Sequence, residues 1–303
     1  MRHSQRRCET RPIELDRRAS GIPRRARGTN AAGAESRAAP VLKWAGGKRQ
    51  LLSELLPLVP RNYGTYIEPF VGGGALFFAL QPRRAVIADS NPELIHFYET
   101  LRDDPKGIIR AAHEWDTDRG TFYLVRALDP TSLPAAARAA RSLYLNRTCF
   151  NGLYRVNARG AFNVPYGSYV NPRIVDEAAL HAASNALCRA TIVCGDYRDV
   201  LKTWARSGDF IFLDPPYAEV SRYSDFKRYT RRQFRAEDHA TLAQEVNRLK
   251  RLRCSMLVMN SNVPLVRTLY AGFSHHVVQS RRSINCDGRK RTGQDLIIRC
   301  ASA

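Results

Sequence analysis

The sequence contains no run of about 18 or more uncharged apolar residues, which is the length that a membrane-spanning helix needs. No short apolar segment follows the arginines near its start, so the pattern does not match a secretory signal. The seven cysteines are odd in number, scattered and never arranged as Cys-x-x-Cys, which disfavours disulfides and structural zinc. We therefore expect a cytoplasmic protein without a membrane anchor and without a metal site.

Acidic residues are few: 28 stand against 48 lysines and arginines, which gives a formal net charge of +20. Charge of this size repels itself and adds nothing to folding, but it attracts and steers a polyanion. Residues 1–38 contribute +6, from ten arginines and four acidic residues, so +14 remains on the rest of the chain. Nucleic acid is therefore the partner that the composition favours.

The pattern along the chain divides into a tail and an alternating part. Residues 1–39 lack hydrophobic periodicity and are rich in Arg, Ala, Gly and Ser, which is typical of a disordered basic tail. Apolar runs and helical patterns then alternate, which predicts an α/β fold with a parallel sheet covered by helices. The predicted strands are residues 65–70, 85–89, 191–196, 209–214 and 255–260, and the predicted helices are 74–80, 91–101, 199–205 and 237–252.

Residues 101–187 interrupt this alternation. They begin with helical patterns, the clearest at 132–147, and continue with turn residues and short alternating stretches. We interpret them as a second domain that is inserted between residues 40–100 and 188–303 of the first.

Three consecutive glycines, Gly72, Gly73 and Gly74, stand between a predicted strand and a predicted helix. Missing side chains at such a turn let a nucleotide-like ligand approach the backbone and the helix N-terminus. Asp89 ends the next predicted strand, where a carboxylate can accept hydrogen bonds from ribose hydroxyls. A glycine cluster alone is as often a tight turn as a ligand site, but the acid one strand later favours the ligand site.

Two common phosphate-binding motifs do not fit this turn. A dinucleotide fingerprint that starts at Gly72 needs glycine where Phe77 stands. A Walker loop needs Ser or Thr after Gly-Lys, where the segment AGGKRQ has Arg49. S-adenosylmethionine, which carries an adenosine but no phosphates, fits the pattern better.

Residues 214–217 read DPPY and follow the apolar run IFL. Pro215 and Pro216 fix the backbone and have no N–H, so the segment presents acceptors without competing donors. The Asp214 carboxylate and the Pro215 carbonyl can accept both hydrogens of an amine on an aromatic base, which points the nitrogen lone pair at an electrophile. Tyr217 can stack on a base that has left the duplex. In isolation, the segment is also explained as a rigid turn after a buried strand.

Together these motifs resemble those of DNA adenine methyltransferases of the Dam type, or D12 class. The resemblance implies a Rossmann-like sheet and methylation of the exocyclic 6-amino group of a flipped adenine, with S-adenosylmethionine as the methyl donor. It also implies that residues 101–187 are a mostly helical DNA-recognition domain with a β-hairpin, inserted into the catalytic domain. From about Leu42 to Ile298 it runs through LKWAGGK (42–48), EPFVGGG (68–74), IADSN (87–91), LYLNRTCFNGLYRVNARGAFNVPYG (143–167), DPPY (214–217) and RRSI (281–284).

The resemblance assigns a cofactor site residue by residue. Trp44 and Lys48 match positions that contact S-adenosylmethionine, Asp89 matches the ribose ligand, and Asp196 matches an acidic position near the cofactor adenine. The expected cofactor-binding residues are Trp44, Lys48, Glu68, Phe70, Gly72, Gly74, Asp89, Asp196 and Asp214, and the expected catalytic residues are Asp214, Pro215, Pro216 and Tyr217.

Arg159 and Gly160 are predicted to turn a hairpin between LYRVN and AFNVP, and alternation places Leu153, Arg155 and Asn157 on one strand face. A β-ribbon in the major groove can set Leu153 against a thymine methyl and Arg155 on guanine. A surface hairpin with one solvated arginine is the alternative. In relatives that read GATC, the positions that contact or distort the site match Lys43, Phe150, Asn151, Leu153 and Arg155, while Arg281 and Arg282 are expected to bind phosphate.

We expect double-stranded DNA as the partner, GATC as the target, and a monomeric enzyme of bacterial or phage type. Two alternatives stay open from the sequence. One is a related amine methyltransferase that acts on RNA guanine or DNA cytosine, and the other is a DNA-binding regulator without catalysis. The sequence does not specify a role in restriction-modification or elsewhere.

Overall fold

A computed structural model describes residues 37–218, 234–281 and 292–301, except for the side chains of Ser280, Arg281 and Thr292. Within these ranges the chain forms a mixed α/β fold around one seven-stranded sheet. The strands are β1 (Tyr66–Glu68), β2 (Ala85–Asp89), β3 (Ala190–Cys194), β4 (Phe210–Leu213), β5 (Ser255–Ser261), β6 (Ser274–Arg281) and β7 (Thr292–Cys300).

The strand order in the sheet is β3-β2-β1-β4-β5-β7-β6. The first five are parallel, whereas β7 is antiparallel to both β5 and β6. Inner strands of a parallel sheet are covered on both faces, and β4 (FIFL) and β5 (SMLVMNS) are buried throughout. The arrangement confirms the predicted α/β sheet and is consistent with the methyltransferase fold that the resemblance implies.

Helices connect the strands, and several begin at an asparagine or aspartate that satisfies the first backbone N–H groups. Asn91 accepts from Glu93 N at 3.0 Å, and Asp196 accepts from Arg198 N at 2.9 Å. The elements predicted outside residues 101–187 all occur, with ends that differ by two residues or fewer. The helices are α1 (Leu52–Leu55), α2 (Ala75–Leu80), α3 (Pro92–Asp103), α4 (Pro105–Ala112), α5 (Arg119–Ala127), α6 (Ala135–Thr148), α7 (Glu177–Leu187), α8 (Tyr197–Trp204), α9 (Ala236–Arg251) and α10 (Pro264–Leu269).

Two apolar clusters cover the two faces of the sheet. Tyr66 and Phe210 belong to one, together with Leu143 from α6, while Ile67 and Ile211 belong to the other, with residues of α8, α9 and α10. Helices α4 to α7 of the predicted insert therefore share a core with the sheet, and the described residues form one compact unit. The division of residues 101–187 from 40–100 and 188–303 stays a prediction.

The predicted tail, residues 1–39, lies outside the described residues up to position 36. Ala38, near its end, is buried in the first apolar cluster. None of the helices within the described ranges has the length and apolar character that a membrane span requires.

The direction of the strand order reverses at β1, which lies between β2 and β4. Residues Ile67 and Ile211 pair in register, so β1 and β4 end at the same edge of the sheet. In open α/β sheets, ligands bind outside the C-terminal strand ends at such a reversal. The reversal places the EPFVGGG and DPPY segments side by side.

Glu68, the last residue of β1, is a buried carboxyl group that accepts a hydrogen bond from Tyr66 Oη at 2.8 Å. Burial raises the pKa of Glu68 to about 8, the charge of Asp214 also raises it, and the hydrogen bond from Tyr66 lowers it. Glu68 is therefore mostly protonated in the folded protein at neutral pH.

We expect Glu68→Gln to flatten the pH dependence of stability. The folded pKa of about 8 exceeds the ordinary value of 4.5, so the folded state keeps its proton while the unfolded state loses it. The stability that Glu68 contributes is full below pH 4.5 and is lost as the pH rises towards 8, at about 1 kcal/mol per pH unit. Urea unfolding between pH 5 and 8 measures this slope for both proteins.

Glu54→Gln, a change at an exposed acid of α1, is the matched control and should retain the parent slope. Equal slopes for the parent and Glu68→Gln would show that Glu68 does not keep its proton in the folded state.

Candidate active site

Asp214 follows β4 directly and forms an ion pair with Lys48, whose Nζ lies 2.7 Å from Asp214 Oδ2. Lys48 is itself buried, begins a short 3-10 helix (Lys48–Leu51), and also donates to the carbonyl of Gly46. Its Nζ lies 4.8 Å from the ring centre of Tyr217. The structure therefore joins the LKWAGGK and DPPY segments, which are far apart in sequence.

The glycine turn after β1 is held by the end of β2. Gly72 N donates to Asp89 Oδ2 at 3.1 Å, and the carbonyl of Gly72 accepts from Tyr98 Oη at 2.7 Å. Gly72 and Gly74 have φ angles of +46° and +67°, a left-handed backbone that glycine adopts most readily. The turn and Asp89 thus form one hydrogen-bonded unit.

Trp44 gives Gly72 and Gly73 a further reason to lack side chains. A Cβ atom on Gly72 would lie 2.7 Å from Trp44 Cδ1, and one on Gly73 would lie 3.2 Å from Trp44 Cβ. The sequence analysis favoured a ligand site over a tight turn for these glycines, and the structure adds that Trp44 lies close to the positions of their missing side chains. Trp44 and the glycine turn are therefore adjacent, as the cofactor prediction requires.

Two acidic residues lie at the C-terminal ends of β2 and β3. Burial raises the pKa of Asp89 to about 6, while backbone donors, including Asn91 N at 3.0 Å, lower it. Gly195 N donates to the carbonyl of Asp89 at 3.1 Å, which brings the neighbouring Asp196 to the same edge. Asp196 also pairs with Arg198, with 2.7 Å between Oδ2 and Nη2.

The chemistry of these groups fits a nucleoside ligand without phosphates. The edge of the sheet presents the carboxylates of Asp89 and Asp196, which accept hydrogen bonds as ribose hydroxyls and adenine amines require. Phe70 adds an aromatic ring whose centre lies 5.0 Å from that of Tyr197. The buried cation Lys48 is paired with the carboxylate of Asp214. S-adenosylmethionine meets these requirements.

The predicted hairpin has the expected turn. Asn157 N donates to the carbonyl of Ala161 at 2.9 Å, Gly160 adopts a φ of +82°, and Val156 bridges antiparallel to Phe162. The Asn157 side chain accepts from the backbone at both Arg159 and Ala161, which stabilises the turn. Pairing is limited to short bridges within this segment, so it is an irregular hairpin rather than a pair of long strands.

The predicted DNA-binding side chains surround the base of this hairpin. Phe150, Asn151 and Arg155 are exposed, whereas Leu153 is half-buried and packs against the core. The Arg155 guanidinium donates from Nε to Asn163 Oδ1 at 2.8 Å. Alternation placed Leu153, Arg155 and Asn157 on one strand face; Arg155 and Asn157 are both exposed, but Leu153 is not.

Lys43 is fixed to the same region by its backbone. Asn146 of α6 accepts from Lys43 N at 2.8 Å and donates to the Lys43 carbonyl at 2.7 Å. Lys43 Nζ lies 5.0 Å from the ring centre of Tyr169, whose hydroxyl accepts from Asn151 N at 3.0 Å. Three of the predicted DNA-binding residues, Lys43, Asn151 and Phe150, are thus brought together.

Sequence reasoning missed Tyr154 as a member of this site. Its ring stacks on Trp44 with 5.5 Å between centres and 25° between planes, which links the hairpin to the LKWAGGK segment. The available signal was alternation, because Tyr154 lies between the two residues that were assigned to DNA. Asn146 and Tyr169 were missed as well, since a polar residue in a helix and a loop tyrosine give no pattern.

Arg281 is the last residue of β6, and its side chain is not among those described. Arg282 lies outside the described residues altogether. Their predicted contacts with phosphate stay predictions.

The sequence matches the D12 class N6 adenine-specific DNA methyltransferase family over residues 44–284. It is 39% identical over 252 residues to a Type II methyltransferase of Lactococcus lactis subsp. cremoris, covering 80% of this chain and 88% of the relative. A Type II methyltransferase of Methanocaldococcus jannaschii is 36% identical over 274 residues, covering 83% and 94%. The DNA adenine methylase of Vibrio cholerae is 36% identical over 262 residues, covering 85% and 94%. Because the family model matches about four-fifths of the chain and these relatives are 36–39% identical over most of their length, the chain belongs to the D12 class of N6 adenine-specific DNA methyltransferases.

Proposed function

We propose that this enzyme transfers a methyl group from S-adenosylmethionine to the 6-amino group of an adenine that is flipped out of duplex DNA, within GATC. The observation that carries this proposal is the position of Asp214. It lies at the reversal of the strand order, next to the glycine turn and beside Lys48 and Tyr217. The carboxylate that can accept hydrogen bonds from an amine therefore lies next to the edge of the sheet that can bind a nucleoside.

The DPPY segment activates the amine. The Asp214 carboxylate and the Pro215 carbonyl accept the two N–H groups, which favours a pyramidal nitrogen and directs its lone pair. The carboxylate also stabilises the positive charge that develops on the nitrogen as it is alkylated. Most of the rate then comes from position and electrostatics, because the methyl group of a sulfonium is already activated and no covalent enzyme intermediate is needed.

When bound, S-adenosylmethionine would supply an electrophilic methyl group to the adenine nitrogen and leave as the neutral thioether, and the methylated amine would release one proton to solvent. Asp89 would hold a ribose hydroxyl and Asp196 would lie near the cofactor adenine, at the edge formed by β2 and β3. Trp44, Lys48, Glu68, Phe70, Gly72 and Gly74 complete this pocket. Tyr217 stacks on the flipped base and keeps its amine against Asp214.

The hairpin reads the DNA. Exposed Arg155 contacts guanine, and Lys43, Phe150, Asn151 and Leu153 contact or distort the remaining base pairs. The net charge of +20 supports binding to the phosphate backbone, which gives affinity without sequence preference. The names of the relatives support DNA adenine as the substrate.

The direct test uses purified enzyme and labelled S-adenosylmethionine with matched duplexes that contain or lack GATC, followed by nucleoside analysis. We expect labelled N6-methyladenine from the GATC duplex alone. Methyladenine from another sequence would overturn the assigned target, and labelled cytosine or labelled RNA guanine would overturn the substrate.

Asp214→Ala should lower kcat by at least about 100-fold, because the amine loses its charged acceptor in the transition state. Affinity for duplex DNA, measured by fluorescence anisotropy, should stay close to that of the parent enzyme. Asp199→Ala, at an exposed acid of α8, is the control and should keep the parent kcat. A folded Asp214→Ala variant with parent activity would remove Asp214 from the reaction.

Arg155→Ala should relax the base preference at one position of the target, at a cost of about 1–3 kcal/mol in discrimination. Methylation rates on duplexes with each single substitution in GATC measure this preference. Arg159→Ala, at the exposed hairpin turn, is the comparison and should weaken binding to all duplexes alike. An unchanged preference in Arg155→Ala would show that this arginine does not read a base.

A further inference from the structure

The end of β5 holds the backbone of Ala218, the residue that follows the DPPY segment. Ala218 N donates to Asn260 Oδ1 at 2.9 Å, and the Ala218 carbonyl accepts from Ser261 Oγ at 2.7 Å. Both side chains are almost fully buried, at 0% and 1% exposure. We call Asn260 and Ser261 the Ala218 clamp.

The sheet places this clamp at the level of the reacting group. Leu213 of β4 pairs in register with Val258 of β5, so Asn260 follows at the same edge as the residues after Asp214. Asn260 Oδ1 also accepts from Ser261 N at 2.9 Å. The clamp is therefore itself fixed by the last residues of a buried central strand.

His239 of α9 sets the orientation of the Asn260 amide. Burial lowers the pKa of His239 to about 4, so its ring is neutral at pH 7. Asn260 Nδ2 lies 3.4 Å from His239 Nδ1, where the amide donates to the unprotonated nitrogen. This contact turns Oδ1 towards Ala218, which is the orientation that the clamp needs.

Hydrogen bonds at Ala218 can fix the DPPY segment without engaging its own hydrogen-bond acceptors. Pro215 and Pro216 have no N–H to give to the scaffold, and the acceptors at Asp214 and Pro215 must face the substrate amine. Hydrogen bonds from the rest of the protein to these acceptors would compete with the substrate amine. Hydrogen bonds to both polar groups of Ala218 restrict the adjacent Tyr217 without occupying any acceptor that the reaction uses.

We propose that Asn260 and Ser261 are positioning residues for methyl transfer, which act by fixing Ala218 and thereby the geometry of Asp214 and Tyr217. This inference rests on the proposed function of the DPPY segment. Small displacements of a reacting group cost more in kcat than in cofactor affinity, because only the transition state requires the alignment.

The test compares kcat and the KM for S-adenosylmethionine on saturating duplex DNA. Asn260→Leu removes the acceptor at similar volume, Asn260→Asp keeps it, and Ser261→Ala removes the hydroxyl. Asn262→Ala is the control, because Asn262 bonds to Gln294 and Arg267 rather than to Ala218. Circular dichroism at the assay temperature verifies the fold of each variant.

We expect Asn260→Leu and Ser261→Ala each to lower kcat about tenfold or more, the equivalent of one lost hydrogen bond, with KM changed by less than about twofold. Asn260→Asp should recover most of the loss, and Asn262→Ala should match the parent.

Parent kcat in folded Asn260→Leu or Ser261→Ala would overturn the inference, as would a raised KM at unchanged kcat. If Asn260→Leu does not fold, Ser261→Ala decides by the same criteria. A parent enzyme that methylates no adenine would instead refute the proposed function, and with it this inference.

Discussion

The parallel pairing of β1 with β4 is the constraint on which the whole candidate site depends. Ile67 lies opposite Ile211, so the two strands end together and the segments that follow them are neighbours. One segment turns through glycines against Asp89, and the other starts with Asp214. A slip of this pairing would separate the glycine turn from Asp214, although every motif would still be present in the chain. Both central strands are buried on both faces, which specifies their register strongly.

Much of this arrangement was predictable from the sequence, because buried parallel strands are continuous apolar runs and the polar residues after them mark the binding edge. All five parallel strands were predicted in this way. Strands β6 and β7 were not predicted, since SHHVVQSR and TGQDLIIRC mix apolar and polar residues without a continuous apolar run or a regular alternation. The ion pair between Lys48 and Asp214 was not predictable from local pattern, because only the tertiary fold brings these two side chains together.

The glycine turn and the hairpin each have a structural feature that the sequence pattern does not reveal. Sequence reasoning favoured a ligand site over a tight turn at Gly72 and Gly73, and it gave no sign that Trp44 lies against both glycines. Alternation grouped Leu153 with Arg155 and Asn157, yet Leu153 is half-buried because the chain leaves a 3-10 turn (Phe150–Gly152) just before it. A period of two describes a regular strand, and this hairpin is too irregular to keep it.

The stack of Trp44 on Tyr154 has a consequence for the modularity of the enzyme. The indole of Trp44 lies against the glycine turn and also stacks on Tyr154 of the hairpin. The backbone of Lys43 is hydrogen-bonded to the Asn146 side chain of α6, which also donates to the carbonyl of Gly152 just before the hairpin. A hairpin transplanted from a relative with another target would therefore place its own residue at position 154 against Trp44. An exchange of hairpins between such enzymes would therefore have to include the segment around Lys43 and Trp44, because the two stretches pack as one structural unit.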